Sequence, residues 1–279
     1  MIETFSLSKV YDKGITALSG ITTTINDRLT AIIGRNGAGK TTFSRIVSTQ
    51  LEPTSGSAII DGLDILRDAR RIRKRIVSIP QEASPISVLT PLEQVKLYLV
   101  GRGLSIKEAH AETIRVLDAM NMRDFKNSPA DTLSGGMKRK IFVCMAIASN
   151  ADIVFLDEPT TGLDPVSRME VWSSLGELSG EVILTTHYME EAQELADRVI
   201  LFERGRIIED GTVENLLSKF RGKVRVECPQ LDDYDYRIGN RVIKYVNRKE
   251  ANEYIGLGCK VKPITLDDIF LSHGVQLEY

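Results

Sequence analysis

Leu29-Thr30-Ala31-Ile32-Ile33-Gly34-Arg35-Asn36-Gly37-Ala38-Gly39-Lys40-Thr41 decides the fold of this chain. The first five residues are a near-continuous apolar run, as expected of a strand buried on both faces. Beyond the stretch, Phe43, Ile46, Val47 and Leu51 recur at helical spacing, so a glycine-rich loop joins a strand to a helix. Gly34–Thr41 fits GxxxxGK[ST] in full and in the required context. Glycines let backbone N–H groups curl around phosphate oxygens where a Cβ would obstruct them. The following helix N-terminus adds partial positive charge. Gly34, Arg35, Asn36, Gly37, Ala38 and Gly39 then form the cradle. Lys40 reaches the β- and γ-phosphates, and Thr41, followed by Thr42, places its hydroxyl on Mg²⁺. A flexible glycine turn is the bland alternative, and the flanks weigh against it.

Ile153-Val154-Phe155-Leu156-Asp157-Glu158 supplies a second half. Four apolar residues make a buried strand, and two carboxylates emerge at its carboxyl end, where open α/β sheets bind ligands. Asp157 is the natural Mg²⁺ partner, and Glu158 is placed to hold and polarise an attacking water. Alone, two acids after a strand read as a solvated strand end; after such a loop they read as a nucleotide triphosphate site.

Outward from these segments, residues 1–30 alternate in short stretches like strands at a sheet edge. Strand candidates follow at Ser57–Ile60 and Ile76–Ile79. From about 82 to 150 the pattern is helical. Thr90-Pro91-Leu92-Glu93 and Ser105-Ile106-Lys107-Glu108 carry capping-box logic, and a third helix is expected from Ser134 through Ile141–Ala148. Val182–Thr186 returns to strand. Past Arg221, alternating Val224, Val226 and Cys228, a strand near Val242–Tyr245, a helix over Glu250–Ile255, a strand over Val261–Ile264 and a capped helix from Thr265 through Leu271 read as a small βαβ-like unit. The expected division is 1–220, with a helical part at about 82–150, and 221–279.

Leu133-Ser134-Gly135-Gly136-Met137, upstream of Leu156-Asp157-Glu158-Pro159, resembles the signature of the ATP-binding cassette (ABC) ATPases over roughly residues 1–220. The resemblance implies an α/β P-loop NTPase cassette with a mixed sheet, an antiparallel β edge and a helical insert, followed by a small α/β C-terminal domain. It implies that each ATP lies between the P-loop of one subunit and Ser134, Gly135 and Gly136 of another. It also implies that Tyr11 stacks on the adenine and that Gln81 senses Mg²⁺ and water. By the same resemblance Asp164 contacts the other subunit and His187 contacts the γ-phosphate. His110 and His273 match nothing and are expected at the surface. The commonest signature ends in glutamine, whereas this one has Met137 followed by Lys138-Arg139-Lys140. That variant, Thr185–Ala192 and Thr265–Leu271 resemble the drug- and lipid-exporting branch.

Composition narrows the alternatives. The chain has 279 residues, 42% hydrophobic and 27% charged, with 36 Lys+Arg against 38 Asp+Glu. A formal charge of −2 gives no footprint for nucleic acid. Cys144, Cys228 and Cys259 are far apart and form no CxxC, so neither a disulfide framework nor a zinc site is expected, and the reducing cytoplasm is the expected compartment. No run approaches the roughly 18–20 apolar residues of a membrane span, and MIETFSLSKVYDKG lacks a signal-peptide core. The expectation is an ATP- and Mg²⁺-dependent ATPase, working with a second ATPase subunit and integral membrane permease subunits at the cytoplasmic face of the membrane. Export is favoured over import. A non-transport ABC ATPase acting on nucleic acid or the ribosome would need a long coiled-coil insertion or two cassettes, and neither is visible. A dead nucleotide site would need a lost catalytic residue.

Overall fold

The computed structural model describes residues 1–176 and 178–274. Strands β1 (Ile2–Val10) and β2 (Thr16–Ile25) pair antiparallel, and β3 (Leu29–Ile33) leads through the glycine loop to helix α1 (Lys40–Val47). Next come β4 (Ser55–Ile60), β5 (Leu63–Asp64), α2 (Ala69–Arg75) and β6 (Ile76–Ile79). The first sheet, ordered β2-β1-β4-β5, is the expected antiparallel edge.

Helices α3 (Pro91–Gly101), α4 (Ile106–Ala119) and α5 (Gly135–Ala148) form the helical insert. Both expected capping boxes are present: Thr90 with Glu93 on α3, and Ser105 with Glu108 on α4. Reciprocal side-chain and backbone bonds satisfy two amides per helix and fix where each helix starts.

The chain then re-enters the main sheet with β7 (Ile153–Asp157), α6 (Pro165–Leu175), β8 (Glu181–Thr186) and α7 (Met189–Leu195). It continues through β9 (Arg198–Glu203), β10 (Arg206–Gly211) and α8 (Val213–Leu217). The six strands run in the order β10-β9-β3-β8-β7-β6, parallel except for β10. Every residue of β3 and β7 is buried, as their apolar runs require with both faces covered. One face packs on α1 and the first sheet through Phe43, Ile46, Val47, Ile2 and Leu18. The other packs on α5 and the helical insert, and, beside α7, on α8.

A third sheet follows, from β11 (Lys223–Cys228), β12 (Tyr236–Ile238), β13 (Arg241–Asn247), α9 (Ala251–Gly256) and β14 (Lys260–Lys262). Its order is β12-β13-β11-β14, with β11 antiparallel to both neighbours. Thus β13 and β14 run the same way around β11, joined by α9, a split form of the βαβ pattern. The last helix, α10 (Leu266–Ser272), leaves this sheet. Its Leu266, Ile269 and Phe270 pack with Ala31, Ala192, Leu201 and Leu216 against the main sheet.

The cysteine expectation is corrected here: Cys228 and Cys259 are joined by a disulfide. The register explains it. Arg225 faces Lys262, Val226 faces Val261 and Glu227 faces Lys260, so the next pair across the two strands is Cys228 and Cys259. A sequence separation of 31 carries no sign of this pairing, which tertiary register alone creates. Cys144 is free and buried. No group of three or more His, Cys, Asp or Glu that could hold a metal occurs among the described residues.

Candidate functional site: a phosphate-binding cleft

Helix α1 begins differently from α3, α4, α5 and α6. Those four are capped by the side chains of Thr90, Ser105, Ser134 and Asp164, whereas Gly39 at the start of α1 offers no side chain to its amides. The first-turn N–H groups are therefore directed at whatever the glycine loop encloses. Gly39 has φ 107°, and a Cβ there would sit 2.5 Å from the Ala17 carbonyl oxygen and 2.9 Å from Leu18 Cδ2. Both the left-handed backbone and the close packing require glycine.

The loop opens into a cleft of about 710 Å³ lined by Tyr11, Ile15, Thr16, Ala17, Asn36–Thr42, Gln81, Glu158, Thr161 and His187. A larger groove of about 940 Å³ lies between Arg102–Arg115 and Ile147–Ala151, but it contains none of the expected site residues. The smaller cleft is where the chemistry gathers. Tyr11, from the end of β1, stands at its mouth with its hydroxyl 3.2 Å from Thr42 Oγ1.

Two networks meet inside. Asp157 Oδ1 accepts from Thr41 Oγ1 at 3.1 Å and from Thr185 Oγ1 by a short bond. Glu158 Oε2 accepts from Gln81 Nε2 and from Thr161 Oγ1, both at 3.0 Å. His187 Nδ1 lies 3.1 Å from the same oxygen, off hydrogen-bond alignment. Lys40 Nζ donates to the Gly34 carbonyl at 2.7 Å and the Arg35 carbonyl at 3.1 Å, and lies 3.8 Å from Glu158 Oε1. Burial pushes the Lys40 ammonium below its ordinary range, and the charges of Glu158 and Asp157 work against that shift.

Glu158 itself has φ 49°, a left-handed conformation unusual for a residue with a Cβ. Its amide is held in place by the carbonyl and the hydroxyl of Thr185, at 3.0 and 3.2 Å. Backbone strain of this kind persists where surrounding contacts over-determine it, and it clusters at functional sites.

The cleft thus brings together Tyr11, Asn36–Thr42, Gln81, Asp157, Glu158 and His187. Gly34 and Arg35 sit beneath it as acceptors for Lys40. Ser134, Gly135 and Gly136 do not line it. They start α5 on another surface, where Ser134 and Gly135 are exposed and Ser134 Oγ accepts from Met137 N at 3.2 Å. Asp164 is nearby, since a Cβ on Gly136 would approach Ser167 Oγ to 3.2 Å. It caps α6 through the amides of Val166 and Ser167, each at 3.1 Å. Bonds from Ser167 and Val166 hold its carboxyl below the usual range. Of the unmatched histidines, His110 is exposed, and His273 is at the surface with Nε2 2.6 Å from Glu209 Oε1.

Four site residues escaped sequence reading. Thr185 and Thr161 hold the two carboxylates, and Ile15 completes the wall. Buried Arg139 spreads its guanidinium over the carbonyls of Pro80, Gln81, Asp157, Glu158 and Pro159, tying the segments of Gln81 and Glu158 together. Its visible signal was the basic run Lys138-Arg139-Lys140, directly before the apolar part of α5 from Ile141.

The chain is similar to known ATP-binding cassettes. A family model described as ABC transporter matches residues 18–161. The daunorubicin/doxorubicin resistance ATP-binding protein of Streptomyces peucetius is 38% identical over 80% of this chain and 68% of its own length. The phospholipid-transporting ATPase ABCA3 of Rattus norvegicus is 37% identical over 72% of this chain but only 12% of its own length. Among solved structures, an ATP-binding cassette captured as a dimer in a post-hydrolysis state with ADP and Pi superposes with TM-score 0.70. It is 27% identical and covers 76% of this chain and 98% of its own. A family match over half of the chain and a relative aligned over four fifths of it place this protein in the ABC transporter family, as an ATP-binding and ATP-hydrolysing chain.

Proposed function

We propose that this chain drives export through separate membrane-spanning subunits, working as one of a pair of cassettes that close over ATP. The observation that carries the catalytic part is the setting of Glu158: a strained acid held by Gln81 and Thr161, beside Lys40 and His187, at the inner end of a phosphate cradle. Tyr11 supplies an aromatic face for the adenine at the mouth, and Asn36–Thr42 hold the phosphates through backbone amides. Lys40 and His187 face the terminal phosphate, where negative charge grows on the transferring group. Gln81 and Glu158 position the attacking water, and Glu158 takes its proton. No covalent intermediate is required, since positioning and electrostatics carry the step.

The residues also suit Mg²⁺. A threonine hydroxyl, an aspartate carboxylate and an amide carbonyl are hard oxygen donors, and Thr41 and Asp157 already share a hydrogen bond. Thr41, Asp157 and Gln81 would hold the ion, which neutralises phosphate charge and orients the terminal group when bound.

Pairing is supported by a second, outward-facing anion site. Ser134, Gly135 and Gly136 open α5 at the surface, and Val166 and Met169 of the adjacent α6 are 68% and 66% exposed. An exposed helix start flanked by apolar side chains suits the phosphates and rim of another cassette, with Asp164 at the contact. No helix among the described residues is long and apolar enough to cross a membrane. The segment Gln81–Leu99 exposes Ile86 at 60%, Val88 at 76% and Leu97 at 56%, apolar side chains suited to docking a membrane-spanning subunit at the cytoplasmic face. Export follows the likeness to a drug-resistance and a phospholipid-transporting protein. Residues 1–220 form the cassette in this reading, with 82–150 as its helical part. Residues 221–279 form an accessory unit, of which 275–279 lie outside the described residues.

Steady-state hydrolysis tests the catalytic assignment. The wild-type chain should turn over ATP only with Mg²⁺. Glu158→Gln should bind ATP with affinity within about threefold of wild type and lose at least ~100-fold in turnover. Unchanged turnover in that variant removes Glu158 from the role.

A further inference from the structure

Glu191 is a fully buried carboxylate to which neither the sequence reading nor the mechanism assigns a part. It lies on α7, four residues after His187. Its Oε1 accepts two neutral donors, Thr160 Oγ1 at 2.8 Å and Trp172 Nε1 at 2.9 Å. Burying a carboxylate is costly, and two neutral hydrogen bonds offset only part of that cost. A side chain retained under those terms calls for a reason beyond packing.

Its neighbours supply one. Thr160 directly precedes Thr161, whose hydroxyl holds Glu158. Glu191 therefore grips the backbone that carries one arm reaching Glu158. The helix bearing Glu191 has its N-cap at Tyr188, directly after His187, the other arm. Trp172 lies on α6, which Asp164 caps. A second link crosses the same seam: the Arg168 guanidinium of α6 lies 4.4 Å from the centre of the Tyr188 ring, which in turn lies 4.1 Å from the His187 ring. Two side-chain links thus join the Thr160–Trp172 segment to the segment His187–Glu191.

We propose that Glu191 is a positioning residue for hydrolysis: it fixes the spacing of Thr161 and His187 around Glu158 and couples the Asp164 loop to that spacing. The proposal rests on the roles given above to Glu158 and His187. Glutamine at 191 can accept the same two hydrogen bonds, whereas alanine accepts neither.

The test uses the full chain and its single tryptophan, Trp172, as a probe inside the seam. Glu191→Ala should lower kcat by at least ~10-fold with KM for ATP within about threefold, and Glu191→Gln should restore kcat to within about threefold of wild type. In the Glu158→Gln background, saturating Mg-ATP should shift Trp172 emission, and adding Glu191→Ala or His187→Ala should abolish the shift while ATP still binds. A purely structural role would not make Trp172 respond to nucleotide. Thr160→Val removes one donor and keeps the carboxylate, so it decides the matter where Glu191→Ala does not fold; its kcat should fall by about fivefold or more. Wild-type kcat in Glu191→Ala or Thr160→Val, or Trp172 emission unmoved by bound ATP, overturns the proposal. Wild-type turnover in His187→Ala would instead sink the site reading on which it rests.

Discussion

Gly39 and Glu158 both occupy left-handed backbone, for opposite reasons. Gly39 does so because only glycine fits between Ala17 and the phosphate cradle. Glu158 has a side chain and is held there by Thr185. Gly39→Ala should therefore fold with a displaced loop and lose about tenfold or more in ATP affinity, read by calorimetric titration. The legible residues are those whose chemistry lies in a contiguous motif, such as Lys40, Thr41, Asp157 and Glu158. Thr185, Arg139 and Glu191 were not legible, because each acts on a segment 27 or 28, 18 to 59, or 19 and 31 residues away, through contacts that exist only after folding. The cysteines belong to the same class. Burial pushes the Cys144 thiol up to about 12, so it stays protonated and inert in the native chain. Thiol titration of the unreduced protein should find no reactive group when native and one after denaturation, and reduction should raise the count to three. Three thiols without reduction would remove the Cys228–Cys259 pair.

At the scale of elements, local chemistry predicted helix starts well. Thr90, Ser105, Ser134 and Thr265 all occupy N-cap positions, since capping depends on residues three apart. Strand β12 and the destination of α10 were not foreseen, because pairing and docking are tertiary. Helix α10 is bound at both ends of its environment. Its apolar face enters the main core, while Asp268 accepts from Arg225 Nη1 at 3.2 Å and Tyr245 Oη at 2.7 Å on the third sheet. Burial and then the Asp268 bond push the Tyr245 phenol up, so it remains a donor. On the same sheet face Glu227 is surrounded by Arg225, Arg241 and Lys262. Burial would raise its carboxyl, but the bonds from Lys262 and Arg225 outweigh that and hold it below the ordinary value. A carboxyl lowered by folding stabilises the native state above its unfolded pKa, and that contribution is lost as pH falls through the folded value. Below about pH 4, where glutamate ordinarily takes up its proton, β11 and β13 should lose hydrogen-exchange protection in the wild type. Glu227→Gln should show reduced protection already at pH 7. Equal protection at pH 7 and pH 3 in the wild type would contradict this account.

In the proposed reading the whole molecule presents two anion-binding surfaces built by different means. One is the glycine loop after β3, closed by Asp157 and Glu158 at the end of β7, two strands away in the sheet. The other is the exposed start of α5, with the α6 cap at Asp164 beside it. Neither contains the other's residues within one chain, and under the proposal this separation makes a head-to-tail pair the complete unit. The measurement that tests this most directly is sedimentation of the Glu158→Gln chain with and without Mg-ATP. A monomer is expected without nucleotide and a species of twice the chain mass with ATP, reverting to monomer when Ser134→Arg places a bulky cation at the α5 start. A monomer at saturating ATP, with binding confirmed by titration, would contradict the head-to-tail pair.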